Sequence, residues 1–348
     1  MNHRENFLRA ARFDYPDIIP SGVHFSPAAV LYYKHEIDKL MFKHPVLFSG
    51  HKKGDYDWKK VNIDDYSNIE KTPVDSWGCR WKTLMNGIRG TAIEHPLQDW
   101  DKFALYKAPD PENFTYRDSI DWNMIKKNII KTKEKDELTI GNLQHGFLFL
   151  YLTYIRGYEN IIFDMTDEDG RLIKLIKMLE DFAEHQVRKY IDIGVDMIKY
   201  PEDLGMQNTP MLSPDQFKKY IAPSYKRLMS IARRKGALVH MHSDGYIMDL
   251  IEDIIDCGID IINVQDLVNG IDNLAKTLRG RICIELDIDR QSIVIHGSPK
   301  DVDDHIRECV IKLGDKKGGL MLGHVVYPGE PVENIDAVMG AFEKYLVY

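Results

Sequence analysis

The sequence predicts an α/β protein, a (β/α)8 barrel of the TIM type with an N-terminal elaboration. Three observations lead there. From about residue 115 onward, short apolar runs of strand type alternate with helical periods at least five times, joined by connections of a few residues. That pattern implies parallel strands with helical crossovers. A length of 348 residues suits one large barrel. No G-x-G-x-x-G follows a strand, which disfavours a doubly wound dinucleotide-binding sheet.

The elements follow in order. A helix over residues 4–11 leads to a strand over 18–25. Residues 30–110 carry no strong period, and within them 75–81 and 87–95 read as short strands joined by a glycine-containing turn. Pro109-Asp110-Pro111 is a proline-punctuated link. Next come a helix (122–135), a strand (138–143) and a helix (147–156). A long amphipathic helix is expected to be capped by Thr166 and to end at Gly194, with Leu172, Ile176, Leu179, Ala183, Val187 and Ile191 on its 3.6-residue period. The strand 195–200 runs into Pro201-Glu202-Asp203-Leu204-Gly205. Ser213-Pro214-Asp215-Gln216 is a capping box with proline at the first helical position, opening a helix that ends at Gly236. A strand around 237–239, a helix (246–257), a strand (259–264), a helix (271–278) and a strand (281–286) follow. Ser298-Pro299 caps a helix ending at Gly314, a strand covers 318–322, and a helix over 332–346 closes the chain. The whole, 1–348, reads as a single domain whose first 115 residues are less regular.

Composition narrows the function classes. Hydrophobic residues at 44% and charged residues at 29% describe a globular protein with ample core. A formal net charge of −8 argues against a nucleic-acid surface, which needs clustered Lys and Arg. Cys79, Cys257, Cys283 and Cys309 are widely spaced with no CxxC pair, so neither a disulfide framework nor a cysteine-type zinc finger is expected, and a reducing cytoplasm fits. The first residues lack an apolar signal core, and the longest apolar run, 147–155, is far short of the roughly 20 residues a membrane span needs.

The densest chemistry lies in 236–245, Gly-Ala-Leu-Val-His-Met-His-Ser-Asp-Gly. His240, His242 and Asp244 alternate, so an extended chain sends them to one face at a strand end. The alternative is that a histidine is a satisfied core residue and Asp244 caps the next helix. In α/β barrels the chemistry sits at the C-terminal ends of strands. Those ends carry His24, Glu202 with Asp203, the His240/His242/Asp244 trio, Gln265 with Asp266, Glu285 with Asp287, and His324. Sets of histidine and carboxylate suit catalytic zinc, which keeps one position open. No G-x-S-x-G elbow and no Walker loop occurs.

These residues carry a resemblance. The chain resembles the uroporphyrinogen decarboxylase superfamily, in particular its corrinoid-linked methyltransferase branch, through His242-Ser243-Asp244-Gly245, the run Asp256-Cys257-Gly258-Ile259-Asp260, and the segment from Gly323-His324 through Pro328 and Pro331 to Asn334. The branch's zinc ligands would fall on His242, Asp244 and His324, with Asp244 and His324 standing where the family pattern has thiolates; Gln265 or Asp266 would lie where it places an additional acidic ligand. Arg4-Glu5-Asn6-Phe7, Asp75-Ser76-Trp77-Gly78-Cys79, His95-Pro96-Leu97-Gln98-Asp99-Trp100, Glu202-Asp203-Leu204-Gly205-Met206-Gln207 and Asp289-Arg290-Gln291 are similar to the O-demethylase methyltransferases. The decarboxylase's own Arg-rich Met-Arg-Gln-Ala-Gly-Arg loop is absent, which points away from decarboxylation.

The resemblance implies a zinc-dependent enzyme that moves a methyl group from a methoxylated aromatic to Co(I) of a corrinoid (cobalamin) protein. His242, Glu202 and Gln265 are the expected catalytic groups, and Phe25, Trp77, Trp81, Tyr327 and His240 the expected substrate-binding ones. A corrinoid protein and a small methyl donor are the implied partners; a homodimer is compatible with the reading. The alternatives are a methylcobamide:thiol or tetrahydrofolate methyltransferase, and a metal-free barrel that binds a tetrapyrrole or corrinoid.

Overall fold

The computed structural model describes residues 1–347. The fold is the expected α/β class, of TIM-barrel type, with seven strands rather than eight in its main sheet among the described residues. The strands are β1 Ser21–Phe25, β2 Arg80–Lys82, β3 Thr91–Glu94, β4 Ile140–Asn142, β5 Met197–Pro201, β6 Leu238–Ser243, β7 Ile261–Gln265, β8 Cys283–Asp287 and β9 Leu320–Val326; β2 and β3 lie outside the main sheet. No helix among the described residues is long and apolar enough to cross a membrane.

The chain divides into two compact units, Met1–Thr72 with Lys82–Gly90 and Val264–Tyr348, and Pro73–Trp81 with Thr91–Asn263. In the first, β1 pairs in parallel with β9, and β9 with β8. In the second, β4 pairs in parallel with β5, and β5 with β6. On β5, Ile198 and Tyr200 are fully buried, and the Tyr200 hydroxyl donates to Leu228 O of the helix Ala222–Arg234 at 3.2 Å. Alternation therefore turns Lys199 to the opposite, inner face.

Several elements differ from expectation for identifiable reasons. Thr166 does not cap the long helix. It is the last residue of a separate helix, Tyr158–Thr166, and its hydroxyl donates back to Ile162 O at 2.8 Å. Glu168 adopts a left-handed φ of 57°, which breaks the run, and Asp169 caps Gly170–Ile193 by accepting from the Arg171 N–H at 2.8 Å. The Ser213 capping box forms as expected, but after three residues the helix widens into a π turn, Phe217–Ile221. Pro223 stands at the entry to the next regular stretch, where its missing N–H and its ring disrupt the i→i−4 ladder.

The helix expected over 246–257 is only Ile251–Ile255, with Leu250 at its N-cap. Asp244 is therefore not a helix cap. The strand expected over 318–322 is longer and later, so His324 lies inside β9 rather than beyond it.

Candidate active site

The second unit gathers a histidine–carboxylate trio at its strand ends. His242 leaves the last turn of β6, Asp203 follows β5, and His145 follows β4. One ligand atom from each lies within 4.8 Å of the others. His145 Nε2 faces Asp203 Oδ2 at 3.3 Å, and His242 Nε2 faces Asp203 Oδ1 at 3.5 Å. Asp244 Oδ1 is 3.7 Å from the same His242 nitrogen. All four side chains keep partial exposure, between 22% and 38%.

The backbone explains why they converge. The Asp244 N–H donates to Asp203 Oδ1 at 3.1 Å, and the Glu202 N–H to His242 O at 3.0 Å. Gly205 and Gly245 pass so closely that a Cβ on either would come within 2.4 Å of the other's backbone; Gly245 also holds a φ of +77°. Only glycine at both positions lets the loops after β5 and β6 cross here.

On the far side of its ring, His242 Nδ1–H donates to Asn263 Oδ1 at 2.6 Å. This bond orients the ring and fixes the tautomer that leaves Nε2 facing the carboxylates. Burial alone would lower the His242 pKa, but Asp203 and Asp244 outweigh it and push it up to about 9. Burial would raise Asp203; hydrogen bonds and charge from His145 and His242 outweigh it and hold the carboxyl well below its ordinary range.

Glu202, an expected catalytic group, is corrected to a positioning residue. It is fully buried, and both carboxylate oxygens are engaged. Phe149 N–H donates to Oε2 at 2.7 Å, Leu148 N–H to Oε2 at 3.3 Å, Leu150 N–H to Oε1 at 3.1 Å, and the Tyr225 hydroxyl to Oε2 at 2.9 Å. Three otherwise orphaned donors at the start of the helix Phe149–Arg156 are satisfied, and the acid sits at the positive end of the helix dipole. Burial still pushes its pKa up to about 7 against these bonds. The Gly146 N–H donates to Pro201 O at 2.9 Å. Together these bonds set the turn that presents His145.

The other expected residues are placed as follows. His240 lies on the same strand face as His242 and is 2% exposed. Trp77 and Trp81, expected to line a substrate pocket, are each 1% exposed. Trp77 packs on Tyr116 (ring centroids 5.9 Å apart) and Phe182 (5.1 Å). Trp81 donates Nε1–H to Asp75 Oδ2 at 2.8 Å, with the Arg117 guanidinium 4.3 Å from its ring centroid. Both are core residues.

In the first unit, Phe25 is half-buried and stacks on Phe48, with centroids 6.5 Å apart. Tyr327 is half-buried, with the Arg290 guanidinium 5.2 Å from its ring centroid. Gln265 precedes the short helix Asp266–Asn269, and its carbonyl accepts from Asn269 Nδ2 at 2.9 Å. His324, an expected metal ligand, requires correction. Register sets Gly323 beside Asp287, and Glu285 beside Met321, so His324 points to the opposite face of β9 from Glu285 and Asp287. There it is fully buried with Nε2 2.8 Å from Glu330 Oε2.

Sequence reasoning missed His145 and Asn263. His145 lies three residues beyond the last residue of β4, so the strand-end rule that flagged the other groups would have found it. Asp203 was among the strand-end groups but was passed over in favour of Glu202.

With the geometry in view, comparison with known proteins assigns the family. Residues 72–345 match the family model described as uroporphyrinogen decarboxylase (URO-D). The chain belongs to the uroporphyrinogen decarboxylase family. A uroporphyrinogen decarboxylase of Synechococcus is 28% identical over 48% of this chain and 47% of its own length. One from Prochlorococcus marinus is 23% identical over 76% of this chain and 74% of its own. The methylcobamide:CoM methyltransferase MtaA of Methanosarcina barkeri is 21% identical over 44% of this chain and 43% of its own. The chain thus spans about half the length of the Synechococcus and M. barkeri relatives. Among solved structures, a methyltransferase from Methanosarcina mazei shares the fold, with a TM-score of 0.60 and 14% identity, over 92% of this chain and 99% of that one.

Proposed function

We propose that the chain is a zinc-dependent methyltransferase that moves a methyl group from a methoxylated aromatic to the Co(I) of a corrinoid protein. The observation that carries the reading is the trio His145, Asp203 and His242, with Asn263 on the outer ring nitrogen of His242. Two imidazoles and a carboxylate, with Asp244 beside them, fit zinc in the chemistry of the donor set, and a hydrogen-bond acceptor on the non-ligating histidine nitrogen, here the Asn263 amide oxygen, is the kind of outer support such ligands have. His145, Asp203 and His242 would hold the ion, with Asp244 as a further oxygen donor.

When bound, zinc supplies Lewis-acid stabilisation of the oxygen that leaves as phenolate, the difficulty in cleaving an aryl methyl ether. The chain's own residues do the rest. Asn263 keeps His242 in one tautomer and orientation. Glu202 anchors the helix that follows His145. The Gly205–Gly245 crossing holds Asp203 and Asp244 against the imidazoles. The M. barkeri relative, a methylcobamide:CoM methyltransferase, supports methyl transfer, and the fold is one that a methyltransferase also adopts.

A second reading is favoured by the activity the M. barkeri relative is named for: methyl transfer from a methylcobamide to a thiol, with the same donor set holding a zinc that activates the thiol. Elemental analysis of the purified, zinc-reconstituted protein tests the site. About one zinc per chain is expected, falling to background in Asp203→Asn and His242→Ala. Assays with a methoxyarene and a Co(I) corrinoid, with methylcobalamin and a thiol, and with uroporphyrinogen then separate the reactions. Absence of zinc from the reconstituted parent would overturn the zinc reading, and turnover of uroporphyrinogen alone would replace methyl transfer.

A further inference from the structure

One level below the trio, the inner face of the second unit carries a row of polar side chains. Register pairs Asn142 with Lys199, and Lys199 with His240, across β4, β5 and β6. The row faces inward. A Cβ on the neighbouring Gly141 would run into Tyr190 of the helix Gly170–Ile193, and Tyr200 bonds outward to the helix Ala222–Arg234. Inner layers of α/β barrels are ordinarily filled by bulky branched apolar residues. An Asn–Lys–His layer is a departure that needs a reason.

Lys199 is half-buried, and among the described residues its side chain makes no ion pair and no hydrogen bond. A half-buried ammonium on the inner face that no protein group pairs is open to an anionic ligand. The neighbouring acids are committed elsewhere: Asp203 to His145 and His242, and Glu202 to the helix Phe149–Arg156. Lys199 stands two residues before Pro201, whose register partner is His242. Two residues along a strand are about 7 Å, a separation that a substituted ring or a short chain bridges.

We propose that Lys199, flanked by Asn142 and His240, is the subsite for an anionic group of the substrate, a carboxylate or sulfonate, bound while the reacting end of the same molecule lies at His145, Asp203 and His242. The inference rests on the trio being the reaction centre. It narrows the substrate to one with an anion at one end and a methoxy or thiol group at the other.

The test is calorimetric binding to the zinc-reconstituted protein, without corrinoid and without turnover. The probes are 4-methoxybenzoate, neutral methoxybenzene and 2-mercaptoethanesulfonate. One of the two anions should bind at least about 10-fold more tightly than methoxybenzene, and Lys199→Met should erase a preference of about 10- to 100-fold. Lys199→Arg should retain most of it, and zinc content should match the parent in both variants. Loss confined to the methoxybenzoate assigns the anion to an aryl ether donor; loss confined to the sulfonate assigns it to a thiol acceptor. Equal binding of charged and neutral probes, no anion binding at millimolar concentration, or anion binding unchanged in a folded Lys199→Met overturns the proposal. A charge preference without methyl transfer in any assay would leave the subsite standing and remove the methyltransferase reading; methyl transfer without a charge preference would do the reverse.

Discussion

Two of this chain's histidine–carboxylate clusters look alike in composition and differ in almost everything else. His145, Asp203 and His242 in the second unit are partly exposed, and their contacts are long, at 3.3 and 3.5 Å. Asp266, His305 and Cys309 in the first unit are buried, and His305 Nε2 sits 2.6 Å from Asp266 Oδ2. Asp266 is also saturated by its own chain: Leu267 N–H donates to Oδ1 at 2.5 Å and Asp289 N–H to Oδ2 at 3.2 Å. Cys309 Sγ lies 3.8 Å from His305 Nε2, but burial pushes its thiol far up, so it is neither a thiolate ligand nor a nucleophile. A donor set becomes a site only where its hydrogen-bonding capacity is not already consumed. The first cluster keeps lone pairs facing one another; the second uses them to tie the ends of β7 and β8 to the helix Pro299–Leu313.

The contrast predicts opposite consequences of mutation. Asp266→Ala should give the largest effect, a loss of about 3–5 kcal/mol of stability, because it strands a buried histidine and two backbone donors. His145→Ala should change stability by less than about 1 kcal/mol, since its side chain is 38% exposed, yet abolish zinc retention. Denaturant unfolding of both variants, with metal analysis, checks the pair; equal stability losses would break the distinction.

Asn263→Ala should come next, weakening zinc affinity by about 10- to 100-fold while leaving the ligands in place. Competition with a chelator measures it, and an unchanged affinity would remove Asn263 as the orienting group.

The smallest effect concerns pH. Burial would lower the His305 pKa, but Asp266 outweighs it and raises it above its ordinary 6.5. A group whose folded pKa is raised contributes stability that is full below the unfolded value and is lost as pH rises through the folded one. The stability difference between parent and His305→Gln should therefore be largest below about pH 6.5 and shrink on going to alkaline pH. A difference that grows with pH would show that His305 is held neutral instead.

What could be read from the residues in order was local. The alternation of strand and helical periods stated the fold class, and the capping boxes at Ser213 and Ser298 and the strand-end position of His242 were legible for the same reason: each depends on neighbours a few residues away. The choice among strand-end groups was not. Glu202 and Asp203 are adjacent and chemically alike, yet one faces the donors of a helix 50 residues earlier and the other faces two imidazoles. His324 carries the right chemistry on the wrong face of β9, because where that strand begins and which residues it sends inward depend on its pairing with β8. Residue order specifies which chemical groups this protein has and roughly where each strand ends. Which of those groups retain unspent hydrogen-bonding capacity depends on burial and partners, and these come from residues far apart in the chain.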